Sequence, residues 1–436
     1  MATKISSKEH SEWGTFKDSL KAPIHRWFTY PAGFSYKAVE YSFYQFNIQA
    51  GATVYDPFMG SGTTNLVAKE KGINSYGVEA HPFVFPITKC KMTWDVDFNV
   101  IETALIAIKE YLTENAVSEE KAQILTIEEF PELVVKCFLP LTLYDLMLIR
   151  NCIKGLSIGD KEKLFLNVGL ICTLRKVSIA ATGWPYIAPN KIKITSFSKK
   201  GYETFADFVK SMAEDISSVK FISQENSIHH IFLGDSRNTV GEVPDECADH
   251  IFTSPPYLNN FDYADRTRLE MYFMGDAKDW SDICQLVRTK LITSATTQIN
   301  RSDERYKFRE DFIKDNPEEY EFLSNAVQEL SELRKVKGGK KSYDLLVVGY
   351  FNDLYQILKD NYRVLKHNSV ARYILGDSAP YGVHIPTDEL IGKIGCNIGF
   401  SRYSIEELRV RGDKWKENPQ RHSVKLRETI VTLYKD

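Results

Sequence analysis

The stretch Asp56-Pro57-Phe58-Met59-Gly60-Ser61-Gly62-Thr63-Thr64 decides how this chain is read. A short apolar run, Ala52 to Tyr55, leads into it, and a helical pattern, Thr64 to Lys71, leaves it, with Thr63 or Thr64 placed to cap the first amides. A strand-to-helix turn needs a positive φ at one position. It needs a bare backbone at another, where a ligand comes close to the main chain. Gly60 and Gly62 meet both needs. Gly72-Ile73-Asn74 breaks the helix, and a second strand, Ser75 to Glu79, ends in an acid. Glu79 stands seventeen residues after Gly62, close to the roughly 20-residue offset at which an acid grips a ribose diol in dinucleotide folds. The turn lacks the third glycine of the dinucleotide fingerprint and the Gly-Lys-Thr end of a P-loop. A cofactor with an adenosine and no phosphate fits better, and S-adenosyl-L-methionine is such a molecule. Phe58 or Tyr257 can face its sulfonium. The plain alternative is a tight turn that binds nothing.

Two further segments belong to this half. Asp235, after the strand His230 to Leu233, is a candidate partner for the adenine, against the commoner reading of a turn or cap aspartate. Tyr30 and Pro31, in the aromatic arm His25 to Ser35, can wall the methionine end, or simply pack as an N-terminal arm.

Nearly two hundred residues later comes Thr253-Ser254-Pro255-Pro256-Tyr257, directly after the apolar strand Ala248 to Thr253. An exocyclic amine on cytosine or adenine is a poor nucleophile because its lone pair is delocalised into the ring. It becomes reactive only when acceptors hold its hydrogens as it leaves the ring plane. Pro255 and Pro256 have no amide hydrogen, so the loop offers carbonyls without competing donors. Each proline also keeps its predecessor extended, which aims those carbonyls in advance. Ser254 adds a hydroxyl, and Tyr257 a ring to stack on the base. A stiff surface turn is the alternative, and the position after a strand in an α/β pattern weighs against it. Methylation of cytosine carbon 5 would need a cysteine after proline, and there is no Pro-Cys pair.

Strands alternating with helices predict an α/β fold with a mostly parallel sheet covered on both faces. Ligands of such sheets sit at the carboxyl ends of the strands, and Asp56–Gly62, Glu79, Asp235 and Ser254–Tyr257 all lie at such ends. Helical spacing dominates in Val100 to Tyr111, Leu133 to Ile153, Lys163 to Leu174 and Phe205 to Ile216. The expected organisation is therefore a cofactor-binding half of the core at 20–97, a helical insertion at 98–228 and a catalytic half at 229–280. A second polar helical insertion at 281–342 and the remainder of the core at 343–436 complete it.

The 436 residues are 43% hydrophobic, enough for a substantial core. The net charge of -3 gives no global signal for nucleic acid, so such a reading rests on local clusters. The seven cysteines form no Cys-x-x-Cys pair, which leaves metal and redox motifs without support. With no signal-peptide core at the start and no membrane-length apolar run, a cytoplasmic protein is expected.

Taken together these residues resemble the amino-group DNA methyltransferases, which modify cytosine N4 or adenine N6. Asp56 to Thr64 looks like that family's cofactor motif, Thr253 to Tyr257 like its catalytic motif, and Gly234-Asp235-Ser236 like the segment ahead of it. Tyr30 to Ser35, Tyr362 to Lys366 and Arg427 to Ile430 are further matches. The resemblance covers roughly 25–95, 228–280 and 343–436 and leaves the two insertions aside. It implies a Rossmann-like class I methyltransferase core with a seven-stranded sheet. Serine at 254 is similar to the cytosine-N4 branch. The implied roles are Ser254, Pro255, Pro256 and Tyr257 in catalysis, and Tyr30, Pro31, Asp56, Pro57, Phe58, Gly60, Gly62, Thr63, Glu79 and Asp235 around S-adenosyl-L-methionine.

The expected partner is double-stranded DNA, with a restriction endonuclease as companion. A base inside a duplex must be flipped out to reach such a loop, and contacts to the backbone offset the cost. Lys191, Lys193, Lys199 and Lys200, beside Trp184, Tyr186 and Phe197, are one candidate cluster. Arg301, Arg305 and Arg309, with Lys337, Lys340 and Lys341, are the other. Each residue alone reads as solvated surface, and the clusters together as phosphate contacts. Cytosine-N4 methylation is preferred, adenine-N6 methylation by the same loop is the rival, and methylation of a guanine amine in RNA is more distant.

Overall fold

A seven-stranded sheet carries the molecule, its strands in the order β5-β2-β1-β6-β7-β9-β8. These are β1 (Thr53–Asp56), β2 (Asn74–Glu79), β5 (His229–Leu233), β6 (Ala248–Thr253), β7 (Leu365–Gly376), β8 (Arg402–Arg411) and β9 (Leu426–Lys435). A separate hairpin pairs β3 (Ala180–Thr182) with β4 (Ile187–Ile192). This computed structural model describes residues 7–30, 33–182, 187–196, 198–220, 227–259, 261–337, 341–411 and 424–436. Strands β5, β2, β1, β6 and β7 run parallel, while β9 runs antiparallel to both β7 and β8. The expected Rossmann-like, mostly parallel seven-stranded sheet is therefore the one observed.

Register explains why distant motifs meet. Asp56 lies opposite Gly77 of β2, Tyr55 opposite Ile251 of β6, and Glu79 opposite Leu233 of β5. The ends of β1, β2, β5 and β6 therefore share one edge. Strand order in this sheet reverses direction at β1, the kind of switch point where open α/β sheets leave a crevice.

Before the sheet come α1 (Ser7–Glu12) and α2 (Tyr36–Gln45), the latter capped by the Ser35 hydroxyl. Next follow α3 (Thr63–Glu70) and α4 (Val84–Met92). Asn65 on α3 donates to Ser75 Oγ at 3.1 Å and to the Tyr76 carbonyl at 3.0 Å, which fixes the helix on β2.

The helical segment comprises α5 (Phe98–Glu114), α6 (Glu119–Glu129), α7 (Glu132–Val135), α8 (Pro140–Gly155), α9 (Asp160–Val177) and α10 (Gly201–Lys220). The single helix read over Leu133 to Ile153 is two, because Pro140 has no amide to continue the first and starts the second. The apolar cluster of these helices is continuous with Trp27, Phe28 and Phe83 and with Leu269 to Phe273. The segment thus shares its core with the α/β body.

The stretch read as polar and helical from Trp280 is a broken chain. After α11 (Tyr263–Arg266) and α12 (Arg268–Met274), it opens with α13 (Trp280–Ile283) ahead of a π-type turn, then a loop. Regular helix returns as α14 (Glu310–Asp315) and α15 (Pro317–Val336), and α16 (Tyr343–Val364) leads into β7. Sequence reading missed α17 (Thr387–Ile398) and β8. All seven cysteines are free thiols. Among the described residues no helix is long and apolar enough to cross a membrane.

Candidate active site

Gly60 and Gly62 both adopt positive φ, 53° and 82°, so the turn after β1 depends on residues without Cβ. A Cβ on Gly62 would lie 2.6 Å from Thr88 Cγ2, and one on Gly60 would sit 3.4 Å from Tyr30 Cδ1. The Gly62 amide donates to the Met59 carbonyl at 2.8 Å, and the Thr88 hydroxyl donates to the Gly60 carbonyl at 2.6 Å. Lys91, buried beneath, donates to the Ser61 carbonyl at 3.2 Å and the His25 carbonyl at 3.1 Å; burial lowers its pKa to about 8.

Glu79 closes this turn from β2. Its Oε2 accepts from the Gly60 amide at 2.7 Å and its Oε1 from the His81 amide at 2.7 Å. Burial pushes its carboxyl up to about 7, against those two stabilising bonds. A carboxylate has about four lone-pair sites, so two bonds leave acceptor capacity on both oxygens.

Asp56 joins the two motifs. One oxygen, Oδ1, accepts from the Phe58 amide at 3.0 Å and from the Thr253 hydroxyl at 2.6 Å. The end of β1 is thereby tied to the residue just before Ser254. Burial raises the Asp56 carboxyl to about 6, and its Oδ2 has no protein partner. Ser236, next to Asp235, donates to the Pro57 carbonyl, which brings the β5 end to the same turn.

These contacts surround one cavity, with roughly 810 Å³ of space outside the atoms, part of it open to solvent. Tyr30, Pro57, Phe58, Gly60, Thr63 and Glu79 line it on the glycine-turn side, and Ser254 and Pro256 line it on the other. Asp235 also lines it, but its carboxylate is already forked by Arg237, at 2.9 and 2.7 Å. Asp56 and Gly62 shape the turn from behind without lining the cavity. Pro31 lies outside the described residues.

In the Ser254–Tyr257 loop the Ser254 hydroxyl donates to the Ile374 carbonyl of β7 at 3.0 Å. Its proton is engaged, and its lone pairs remain to accept. Pro255 does not line the cavity. Tyr257 departs from expectation: its ring is only 5% exposed and does not line the cavity. Its hydroxyl donates to Glu428 Oε1 at 3.0 Å, and the Arg411 guanidinium lies 5.3 Å from the ring centre. Base stacking by this ring would require it to leave that setting.

Sequence reading missed Tyr263 and the loop residues Lys290, Leu291, Ile292 and Ser294, which complete the wall. Arg288 and Thr297 both bond to Asp262, Thr297 at 2.9 Å, and so pin this loop beside Tyr263. No motif marks them; the only signal was an apolar triplet, Leu291-Ile292 with Ala295, in a polar region.

The basic clusters divide in two. Arg301 forks Asp344 at 2.9 and 3.1 Å, Arg305 pairs with Asp303 at 2.8 Å, and Arg309 pairs with Asp311 at 2.9 Å. Of the lysines, Lys191 is exposed and Lys193 half-buried, Lys199 donates to the Lys176 carbonyl at 2.7 Å, and Lys200 stands 3.9 Å from Glu203. Lys337 and Lys341 lie near the Tyr381 and Tyr343 rings. Lys340, with Trp184, Tyr186 and Phe197, lies outside the described residues. Among the described residues no group of three His, Cys, Asp or Glu can hold a metal ion.

The family model for DNA methylase, N6_N4_Mtase, matches residues 7–89. That span takes in the glycine turn and Glu79 and stops before Ser254. Over most of its length the chain is 25% identical to the Type II methyltransferase M.BsoBI of Geobacillus stearothermophilus, covering 96% of this chain and 86% of the relative. It is 24% identical to the Type II methyltransferase M.AvaI of Nostoc sp., covering 89% of this chain and 81% of the relative. The Type II methyltransferase M.MvaI of Kocuria varians is also 24% identical, covering 91% and 85%.

Proposed function

We propose that this chain is an amino-group DNA methyltransferase and that it transfers a methyl group from S-adenosyl-L-methionine to the N4 amine of a flipped-out cytosine in DNA. One observation carries this reading: the glycine turn with Glu79 and the loop of Ser254 and Pro256 line the same cavity.

The residues present fit the cofactor. A bare backbone at Gly60, under Tyr30, leaves room that any Cβ would fill. Glu79 keeps acceptor capacity for a ribose diol. Phe58 and Tyr30 offer ring surface. When bound, the cofactor supplies an electrophilic methyl on a sulfonium. Glu79 and the Gly60 turn would hold its ribose, and Tyr30 would cover its chain.

Ser254 Oγ and the loop carbonyls would accept the hydrogens of the target amine, turning its lone pair out of the ring plane. The transfer is an in-line displacement, so positioning does most of the work. The methylated amine is strongly acidic, and its surplus proton goes to solvent water. The sequence match over the Type II relatives supports a place in a restriction-modification system, with a companion endonuclease. Serine at 254, the position at which the resemblance leans to the cytosine branch, favours cytosine over adenine.

Lys191, Lys193, Lys199 and Lys200 are the proposed phosphate contacts; the Arg301, Arg305 and Arg309 set is weaker, since each already holds a carboxylate. The test is mass spectrometry of nucleosides from DNA incubated with the protein and labelled cofactor. N4-methylcytosine is expected. N6-methyladenine would transfer the reading to the adenine rival, and an unlabelled DNA pool would reject both.

A further inference from the structure

Two aromatic rings of the cavity wall pack against each other, Tyr30 and Tyr263, tilted by 39° with centroids 5.6 Å apart. One belongs to the N-terminal arm and the other to α11. A single side chain clamps both segments. Arg266, at the end of α11, donates through Nη2 to the Thr29 carbonyl at 2.9 Å, one residue before Tyr30. Its guanidinium lies 5.5 Å from the centre of the Phe28 ring.

Arg266 is itself held. Its Nη1 donates to Glu270 Oε1 at 3.2 Å. The same carboxylate is forked by Arg175 from α9, whose second contact is 3.2 Å to Oε2. Arg175 also donates to the Arg266 main-chain carbonyl at 2.6 Å. Glu270 is 1% exposed and Arg266 5% on their side chains. Burying two guanidinium groups around one carboxylate is a poor way to gain stability, because desolvation offsets the attraction. What such a network does well is fix geometry, since a guanidinium fork admits few arrangements.

We infer that the helical segment completes the cofactor site through Arg175, a positioning residue that holds Arg266 and, through it, the Tyr30–Tyr263 wall. The inference rests on the methyltransferase reading and deepens it. It gives that segment a part in cofactor binding besides any contact with DNA.

The test compares full-length wild type with Arg175→Gln, Arg175→Lys and Arg175→Met, which leaves Glu270 paired with Arg266. Titration with S-adenosylhomocysteine and steady-state kinetics with a DNA substrate are the readouts, alongside thermal unfolding. In Arg175→Gln the dissociation constant and the cofactor KM should rise about ten-fold, the scale of one charge-assisted hydrogen bond. At saturating cofactor, kcat and the DNA KM should stay within about two-fold. Lysine should recover part of the loss, since it restores charge without the fork. Methionine should fold and bind cofactor as weakly as glutamine does, because neither restores the fork on Glu270. A variant that unfolds earlier but keeps the wild-type cofactor KM would make Arg175 merely structural and overturn the inference. Wild type that binds no S-adenosylhomocysteine would overturn the inference together with the reading beneath it.

Discussion

Replacing Glu79 by glutamine separates cofactor binding from folding. Each Glu79 oxygen accepts one backbone amide, at 2.7 Å. Glutamine keeps one acceptor and turns an NH₂ toward the other amide. Leaving a buried donor unsatisfied costs about 1–3 kcal/mol. The glutamate, however, is pushed up to about 7 from its ordinary value of 4.5 by burial. The folded chain holds this proton more tightly than the unfolded one. Stability from this group is therefore greatest at acid pH and falls as pH rises from about 4.5 to 7. Above pH 7 the charged form costs about 3 kcal/mol, at ~1.4 kcal/mol per pKa unit. Glutamine removes that cost, so the two effects nearly cancel at pH 8 and the melting temperature should move by no more than about 4 °C. The cofactor has no such compensation. Losing charge-assisted bonds to a ribose diol, at about 1.5–3 kcal/mol, should raise the cofactor KM about 10- to 100-fold. Isothermal titration with S-adenosylhomocysteine at pH 8, with calorimetric unfolding from pH 5 to 8, measures both. An unchanged affinity in a folded variant would refute the ribose role. An unchanged slope of stability with pH would refute the burial argument.

Ser254→Ala should lower kcat about 10- to 100-fold with the cofactor KM unchanged, because only the hydroxyl proposed to hold the amine is lost; single-turnover methylation distinguishes this from weak DNA binding. Gly62→Ala places a Cβ 2.6 Å from Thr88 at a φ of 82°, and should destabilise the fold by about 1–3 kcal/mol, read as an earlier urea midpoint. Neutralising Lys191 and Lys193 together should flatten the dependence of log affinity for DNA on log salt by about two contacts' worth, while Arg301→Gln should leave it nearly unaltered, because Arg301 is bound to Asp344. Equal effects from both sets would refute that division.

The sheet was legible because its strands carry local signals: Val54 and Tyr55 are fully buried before a glycine turn, and β9 is a run of β-branched and apolar residues. The convergence of Gly60, Glu79 and Ser254 followed from strand order alone. Strand β8 was not legible, since at the edge even its half-buried positions include charged residues such as Glu406 and Arg409, so no apolar alternation marks it. Tyr263 and the loop around Lys290 were invisible for another reason. They reach the cavity through tertiary ties at Asp262 that no spacing encodes. The Tyr257 setting was missed because its partner, Glu428, lies 171 residues away on β9. Likewise, Arg301 read as a free cation because its acid, Asp344, comes from another turn of chain, whereas the acids of Arg305 and Arg309, Asp303 and Asp311, stand two residues away in the sequence.

The claim beneath all of this is that a sulfur-borne methyl and an amine-holding loop are presented to each other inside a single crevice at the ends of β1, β2 and β6. A crystal structure with sinefungin, a non-reactive mimic of the methyl donor, examines it directly. The account predicts the ribose hydroxyls on Glu79 and the amine that replaces the methyl group directed at Ser254 and Pro256. A ligand seated elsewhere, or one whose amine points away from that loop, would contradict it.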